Sequence, residues 1–227
     1  MNQNFIYLCL FVFTMSLLNS CSDDEAAKDD LLGTWTLRAK AMEMIWESPE
    51  KVSVEGLSLS TSDIAKLVVE YSNSHLPEEL KSITFKNDNK LDVKYFDDDV
   101  NDWKTDVYGT YKVKSRKELI YYPDVDKLLK GVDDIGTTTL TEIKVLAATI
   151  GVSVKFTLIG PTAAEMCLYL DTKTIKDMKA LFPYLLISIL GSDVDDIVKK
   201  IILEKLPELL EKTNKIEIAL YFDKGIN

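Results

Sequence analysis

Over most of the chain, apolar and polar residues alternate with a period of two, and in three stretches the period changes to that of a helix. Gly33 to Ile45 sets Trp35, Leu37, Ala39 and Ala41 on one face and Thr36, Arg38 and Lys40 on the other, the pattern of a half-buried strand. Trp46-Glu47-Ser48-Pro49 ends it, because proline has no N–H to give to a ladder. Lys81 to Phe96 reads as a hairpin. Ile83 and Phe85 alternate with Thr84 and Lys86, Asn87-Asp88-Asn89-Lys90 supplies residues that tolerate a left-handed backbone, and Leu91, Val93 and Tyr95 resume the alternation. Further strands are expected at Trp103 to Lys114, Glu118 to Tyr122, Thr137 to Ile150, Val152 to Ile159, Glu165 to Asp171 and Lys215 to Phe222. In the last but one, Met166, Leu168 and Leu170 face inward, with Cys167 and Tyr169 opposite.

Helical spacing occurs first after Ser62-Asp63, where a serine side chain can cap free N–H groups and Ile64, Leu67, Val68 and Tyr71 share a face. Ser72-Asn73-Ser74 and Pro77 are expected to close this helix, and Val52 to Thr61 before it is an ambiguous connection. It recurs in Thr172 to Leu190 and again from Val194 to Leu209, with Pro183, Gly191 and Pro207 as breaks or kinks. A shorter helical piece is expected at Val125 to Lys130. The fold class that follows is mainly β with helical additions. About eight strands joined by short turns form an antiparallel barrel, with one early helix and a late helical hairpin over residues 172–212. Closure removes exposed strand edges and brings the last strand beside the first.

The first twenty residues follow another rule. Phe5 to Leu18 is an almost unbroken apolar run, too short to span a bilayer comfortably but of the length of a secretory signal core. Leu18-Asn19-Ser20-Cys21 follows and resembles a bacterial lipobox. That resemblance implies a signal peptide over residues 1–20 and lipidation of Cys21, with residues 21–30 as an acylated, flexible tether and residues 31–227 as the barrel domain. Ser22-Asp23-Asp24-Glu25 resembles the acidic signal that sends such lipoproteins to the outer face of the outer membrane. Cell-surface display is the expectation, with the periplasmic leaflet as the alternative.

Charge narrows the partners. The net charge is −10, from 37 acidic against 27 basic residues, and no basic block occurs, so a nucleic acid partner is excluded. Of three cysteines, only Cys167 lies in the mature domain as a free thiol, so no internal disulfide forms there.

Candidate chemistry is sparse. His75, the single histidine, sits beside Pro77 and reads as a surface residue of a polar loop. Asp97, Asp99 and Asn101 begin like a calcium loop, but Asp102 stands where glycine is required and Tyr108 where glutamate is, so no metal site is assigned. No nucleophile elbow, phosphate-binding glycine loop or Cys-x-x-Cys occurs. The chain is therefore read as not an enzyme and as holding no cofactor. Trp35, Trp46 and Trp103 raise a sugar-stacking reading, although Trp35 fits a core position and the other two flank loops.

Several short motifs then coincide: Leu32-Gly33-Thr34-Trp35, the hairpin Ile83-Thr84-Phe85 to Leu91-Asp92-Val93, and Tyr108-Gly109-Thr110-Tyr111 before Leu119-Ile120-Tyr121-Tyr122. Together with the lipobox and the acidic tether they resemble the lipocalin-like lipoproteins of the Bacteroidales. The resemblance implies a non-enzymatic outer-membrane lipoprotein that binds a small apolar ligand inside its barrel. Trp35, Phe85, Val93, Tyr111, Phe156 and Leu168 are the expected interior positions. The alternative is a surface scaffold or accessory protein that docks another protein or a glycan. The late helical hairpin is not a lipocalin feature, and covering a barrel end, acting as a lid or docking a partner all remain open for it.

Overall fold

The structure is a computed structural model, and it describes residues 24–54, 57–97, 99–124, 127, 141, 152–159, 164–177, 179 and 205–225. Ten strands and three helices are named among these residues: α1 (Asp24–Leu31), β1 (Gly33–Glu47), β2 (Lys51–Val54), β3 (Leu57–Ser60), α2 (Thr61–Glu79), β4 (Leu80–Phe85), β5 (Lys90–Asp97), β6 (Asp102–Ser115), β7 (Glu118–Pro123), β8 (Val152–Ile159), β9 (Glu165–Leu170), α3 (Thr172–Asp177) and β10 (Lys215–Lys224). Residues 205–212 are also helical.

Eight strands close into an antiparallel barrel in the order β1-β10-β9-β8-β7-β6-β5-β4 and back to β1, while β2 and β3 form a separate ribbon. From β4 to β10 the chain is a meander, so alternate connections lie at the same end. One end, the floor, holds α1, the β4–β5 turn and the β6–β7 turn. The other end, the roof, holds the β5–β6 turn, α3 and residues 205–212. The expected barrel with its last strand beside its first is the observed one.

Two details of β1 depart from simple alternation. Its register against β10 slips between Leu37 and Met42, so odd positions such as Trp35 face inward before the bulge and Met42 and Trp46 after it. Ala39, expected inside, is exposed for this reason. β1 also pairs with β4 only from Gly33↔Phe85 to Thr36↔Ser82. Beyond Thr36 no strand occupies that side of β1 among the described residues, and α2 packs along it instead. The helix therefore completes the barrel wall where two strands diverge.

α2 differs from its expected form. Its N-cap is Ser60, whose hydroxyl accepts from the Asp63 N–H while the Asp63 carboxylate accepts from the Ser60 N–H, a reciprocal capping box. The helix continues through Ser72-Asn73-Ser74 and holds Pro77 in its last turn. The buried face is Thr61, Ala65, Val68, Ser72, Leu76 and Glu79, whereas Leu67 is 53% exposed. The residues the pattern assigned to one face straddle two, because the helix has barrel on one side and a strand edge on the other. His75 is thus a helical residue, half-buried and stacked on Tyr71 with ring centroids 4.1 Å apart, not a loop residue.

Glu25 to Asp30, expected to be a flexible spacer, is helical within α1. Val52 to Thr61 holds the β2–β3 ribbon and the cap of α2. The expected strand at Thr137 to Ile150 lies outside the described residues save Thr141, as does most of the short helical piece at Val125 to Lys130. Of the late helical hairpin, only Thr172–Asp177, Lys179 and residues 205–212 fall within them.

One hydrophobic cluster runs through the whole barrel. It joins Leu31 at the floor and Trp46, Ile175, Leu206, Leu209 and Leu210 at the roof to the interior strand residues. Burying each such side chain contributes about 1.5–3 kcal/mol, which is why the closed barrel outweighs the entropy of ordering eight strands.

Candidate functional site

The six expected interior residues all point into this cluster. Trp35, Phe85, Val93, Tyr111, Phe156 and Leu168 are each 4% exposed or less. Alternation fixed their direction, and barrel closure fixed their burial. Phe85 and Leu168 line a cavity of about 30 Å³ together with Tyr121, Val154, Leu220 and Phe222 among others. Trp35, Val93, Tyr111 and Phe156 are not part of that lining.

The polar ends of Trp35, Tyr111 and Tyr121 are all used by the chain's own backbone. Trp35 Nε1 donates to Leu31 O at 2.7 Å, Tyr111 Oη to Lys86 O at 2.9 Å, and Tyr121 Oη to Tyr108 O at 2.6 Å. Burial pushes the Tyr111 hydroxyl up to about 12 and raises that of Tyr121 further, so both stay protonated donors. Phe85 and Tyr111 meet edge-to-face with centroids 5.0 Å apart. What the interior offers around the cavity is apolar surface.

Both ends of the barrel are stoppered. At the floor, Leu31 of α1 is fully buried, its carbonyl holds Trp35, and Lys28 Nζ donates to Asn87 O across the β4–β5 turn at 2.8 Å. At the roof, Trp46 Nε1 donates to Thr213 Oγ1 at 2.9 Å, and the Thr172 hydroxyl brackets the backbone of Ile216. Trp46, placed beside a loop by its sequence position, is 2% exposed. With Trp35 and Trp46 both inside, the three tryptophans form no stacking surface. Trp103 is half-buried on the outer wall, edge-on to Phe96 and with Lys81 Nζ 5.3 Å from its ring centre.

The suspected calcium loop is occupied by its own chain. Asp97 Oδ2 pairs with Lys104 Nζ at 2.6 Å and Oδ1 accepts from the Asp99 N–H at 2.9 Å. The lysine contact holds the Asp97 carboxyl below the usual carboxylate range. Cys167 is a buried free thiol, and desolvation raises its pKa.

A second concavity was not legible in the sequence. It is an open cleft of about 530 Å³ between α2 and the upper half of β1, walled by Glu43, Met44, Ile45, Lys66, Val69 and Glu70. Three side-chain contacts hold its walls together. Asn73 Oδ1 accepts from Met42 N at 2.8 Å, Asn73 Nδ2 donates to Met42 O at 3.0 Å, and Thr61 Oγ1 donates to Trp46 O at 3.1 Å. Strand alternation turns the backbone groups of Met44, midway between, towards the same side. Ile45 beside it is 44% exposed. The only sequence signal was negative: an Asn between two serines inside a helical pattern, read as a helix end.

Comparison of this chain with protein-family models, with curated proteins and with solved structures finds no match in any of the three.

Proposed function

We propose that this chain is a non-enzymatic lipoprotein of the outer membrane, anchored through Cys21, whose barrel is a packed scaffold and whose partner binds in the outer cleft between α2 and β1. The observation that carries this reading is the contrast of volumes. The cleft, at about 530 Å³, is within the usual size range of binding sites, roughly 300–1,000 Å³. The interior cavity lined by Phe85 and Leu168 holds about 30 Å³, room for water alone, whereas a cavity of about 150 Å³ is what admits benzene. The cleft mixes apolar wall (Ile45, Val69) with charge of both signs (Glu43, Glu70, Lys66), which suits a protein segment or a glycan better than a lipid.

A second reading rests on the chemistry of the small cavity, whose ten lining residues are all apolar or aromatic. An apolar ligand inside the barrel would enlarge this space by displacing side chains.

Two measurements separate the readings. Native mass spectrometry of the protein extracted from its membrane detects an interior ligand as extra mass lost on denaturation. Hydrogen exchange of the α2 peptides, with and without a host envelope extract, detects occupancy of the cleft. The cleft reading expects protection of α2 that Val69→Trp abolishes, with no copurifying mass. A copurifying apolar molecule, with α2 exchange unchanged by the extract, replaces it with the interior reading.

A further inference from the structure

The geometry points to a fixed stance on the membrane: the barrel stands floor-down on the lipid surface, with the basic β6–β7 turn against anionic headgroups and the roof turned away. This rests on the anchoring of Cys21 proposed above.

The first argument is reach. Only Ser22 and Asp23 separate the acylated Cys21 from the start of α1 at Asp24, three residues on. Three extended residues span at most about 10 Å. α1 is docked on the barrel rather than hanging from it. Leu31 is buried in the core, Lys28 Nζ donates to Asn87 O of the β4–β5 turn, and Lys224 Nζ donates to Asp30 O at 3.3 Å. α1 also packs against β6. A flexible spacer would let the barrel tumble, whereas a docked helix carries the anchor to one end of it.

The second argument is charge. The chain as a whole is acidic at −10, yet the floor turns are basic. Residues 112–118 hold Lys112, Lys114, Arg116 and Lys117 against Glu118 alone, a net +3. Residues 86–90 hold Lys86 and Lys90 against Asp88, a net +1. α1 itself brings a net −3 and Asp23 before it another −1, which leaves these floor segments together neutral, with the positive charge gathered on the β6–β7 turn. The roof turn is the opposite: Asp97, Asp98, Asp99 and Asp102 crowd residues 97–102. An anionic surface repels that end and attracts the β6–β7 turn. About 25 Å of strand, the eight residues of β5, separates the two turns, so the difference acts over more than a Debye length.

The test uses the full chain, expressed with its signal, extracted and inserted into preformed vesicles of phosphatidylcholine and phosphatidylglycerol. The vesicles carry a nitroxide on the lipid headgroup, which quenches fluorophores only at short range. In a Cys167→Ser background, a fluorophore is placed at Asn87→Cys on the floor or at Val100→Cys on the roof. Quenching at position 87 is expected to exceed that at position 100 several-fold. Lys112→Glu, Arg116→Glu and Lys117→Glu together should lower quenching at 87 at least twofold while the protein stays on the vesicle. Equal quenching at the two positions overturns the stance. Unchanged quenching in the triple variant overturns the headgroup contact. The mass of the N-terminal peptide is read on the same sample. A Cys21 without its diacylglyceryl group overturns the anchor, and this stance with it, whereas an acylated Cys21 with equal quenching overturns the stance alone.

Discussion

The side chain of Asn73 pairs with the backbone of Met42 as a neighbouring strand would, accepting from its N–H at 2.8 Å and donating to its C=O at 3.0 Å. The primary amide carries a donor and an acceptor at the same separation as a peptide group, so a residue of a helix can satisfy a strand edge. This is what lets α2 stand in for a ninth strand where β1 and β4 part. Removing the amide leaves two part-buried backbone groups without a partner, each at a cost of about 1–3 kcal/mol when water cannot replace it. Asn73→Leu should therefore lower stability by about 2 kcal/mol, read as a lower urea midpoint with an unchanged slope. Asn73→Asp should also destabilise, since the carboxylate keeps the acceptor and loses the donor. An unchanged midpoint in both would mean that the pairing contributes nothing.

Gly109 should tolerate no side chain. Its φ of 150° lies outside the usual range of L residues, and a Cβ there would sit 2.2 Å from Tyr122 O and 2.9 Å from the Cα of Pro123. Both contacts are to backbone of the paired strand β7, which cannot yield without breaking the ladder. The bulge beside it also aims Tyr108 O at Tyr121 Oη. Gly109→Ala is expected to cost on the order of 3 kcal/mol or more, seen as loss of soluble folded protein or a large fall in Tm. Gly33→Ala, where φ is 114° but nothing lies within 4 Å of the added Cβ, should cost less.

Asp171 makes stability pH-dependent. Burial raises its pKa, but hydrogen bonds from Lys155 and from the Thr174 N–H outweigh it, and the net shift is downward. A carboxyl depressed in the folded state stabilises above its unfolded value of about 3.9, and that stability is lost as pH falls through the folded value. Asp171 also caps the first turn of α3, so Asp171→Asn keeps an acceptor for Thr174 and loses the ion pair. The variant should be less stable than the parent at pH 7, and the gap should shrink by pH 3. A gap of constant size between the two would argue against the ionised pair.

Cys167 should be chemically silent until the barrel opens. It is 8% exposed, and burial raises its pKa, so thiolate is scarce at neutral pH. Alkylation followed on the Cys167 peptide should be slow in the native protein and fast in 6 M urea. Rapid labelling without denaturant would place the β9–β10 wall among easily opened segments.

Local pattern determined a good deal of this protein. The alternation in residues 33–37, 81–96, 103–122, 152–159, 165–170 and 215–222 fixed which segments are strands. It also set which side chains point inward, and the Asn-rich turn at 87–90 fixed one hairpin, because a pleat and a tight turn each depend on a few consecutive residues. The inward direction of Phe85, Val93, Tyr111, Phe156 and Leu168 could be read the same way. Only the tertiary structure decided the rest. The β1 bulge is set by its register against β10, more than 170 residues away, which no window on β1 contains. The length and facing of α2 follow from two neighbours at once, the core under Val68 and the strand edge beside Asn73. α1 is helical through its docking on the floor, where Leu31 and Lys28 find partners far along the chain. Whether inward residues leave a hollow or fill it is a matter of close packing among eight strands. It is packing that left a cavity of about 30 Å³ beside Phe85 and Leu168 and opened the larger concavity outside the barrel.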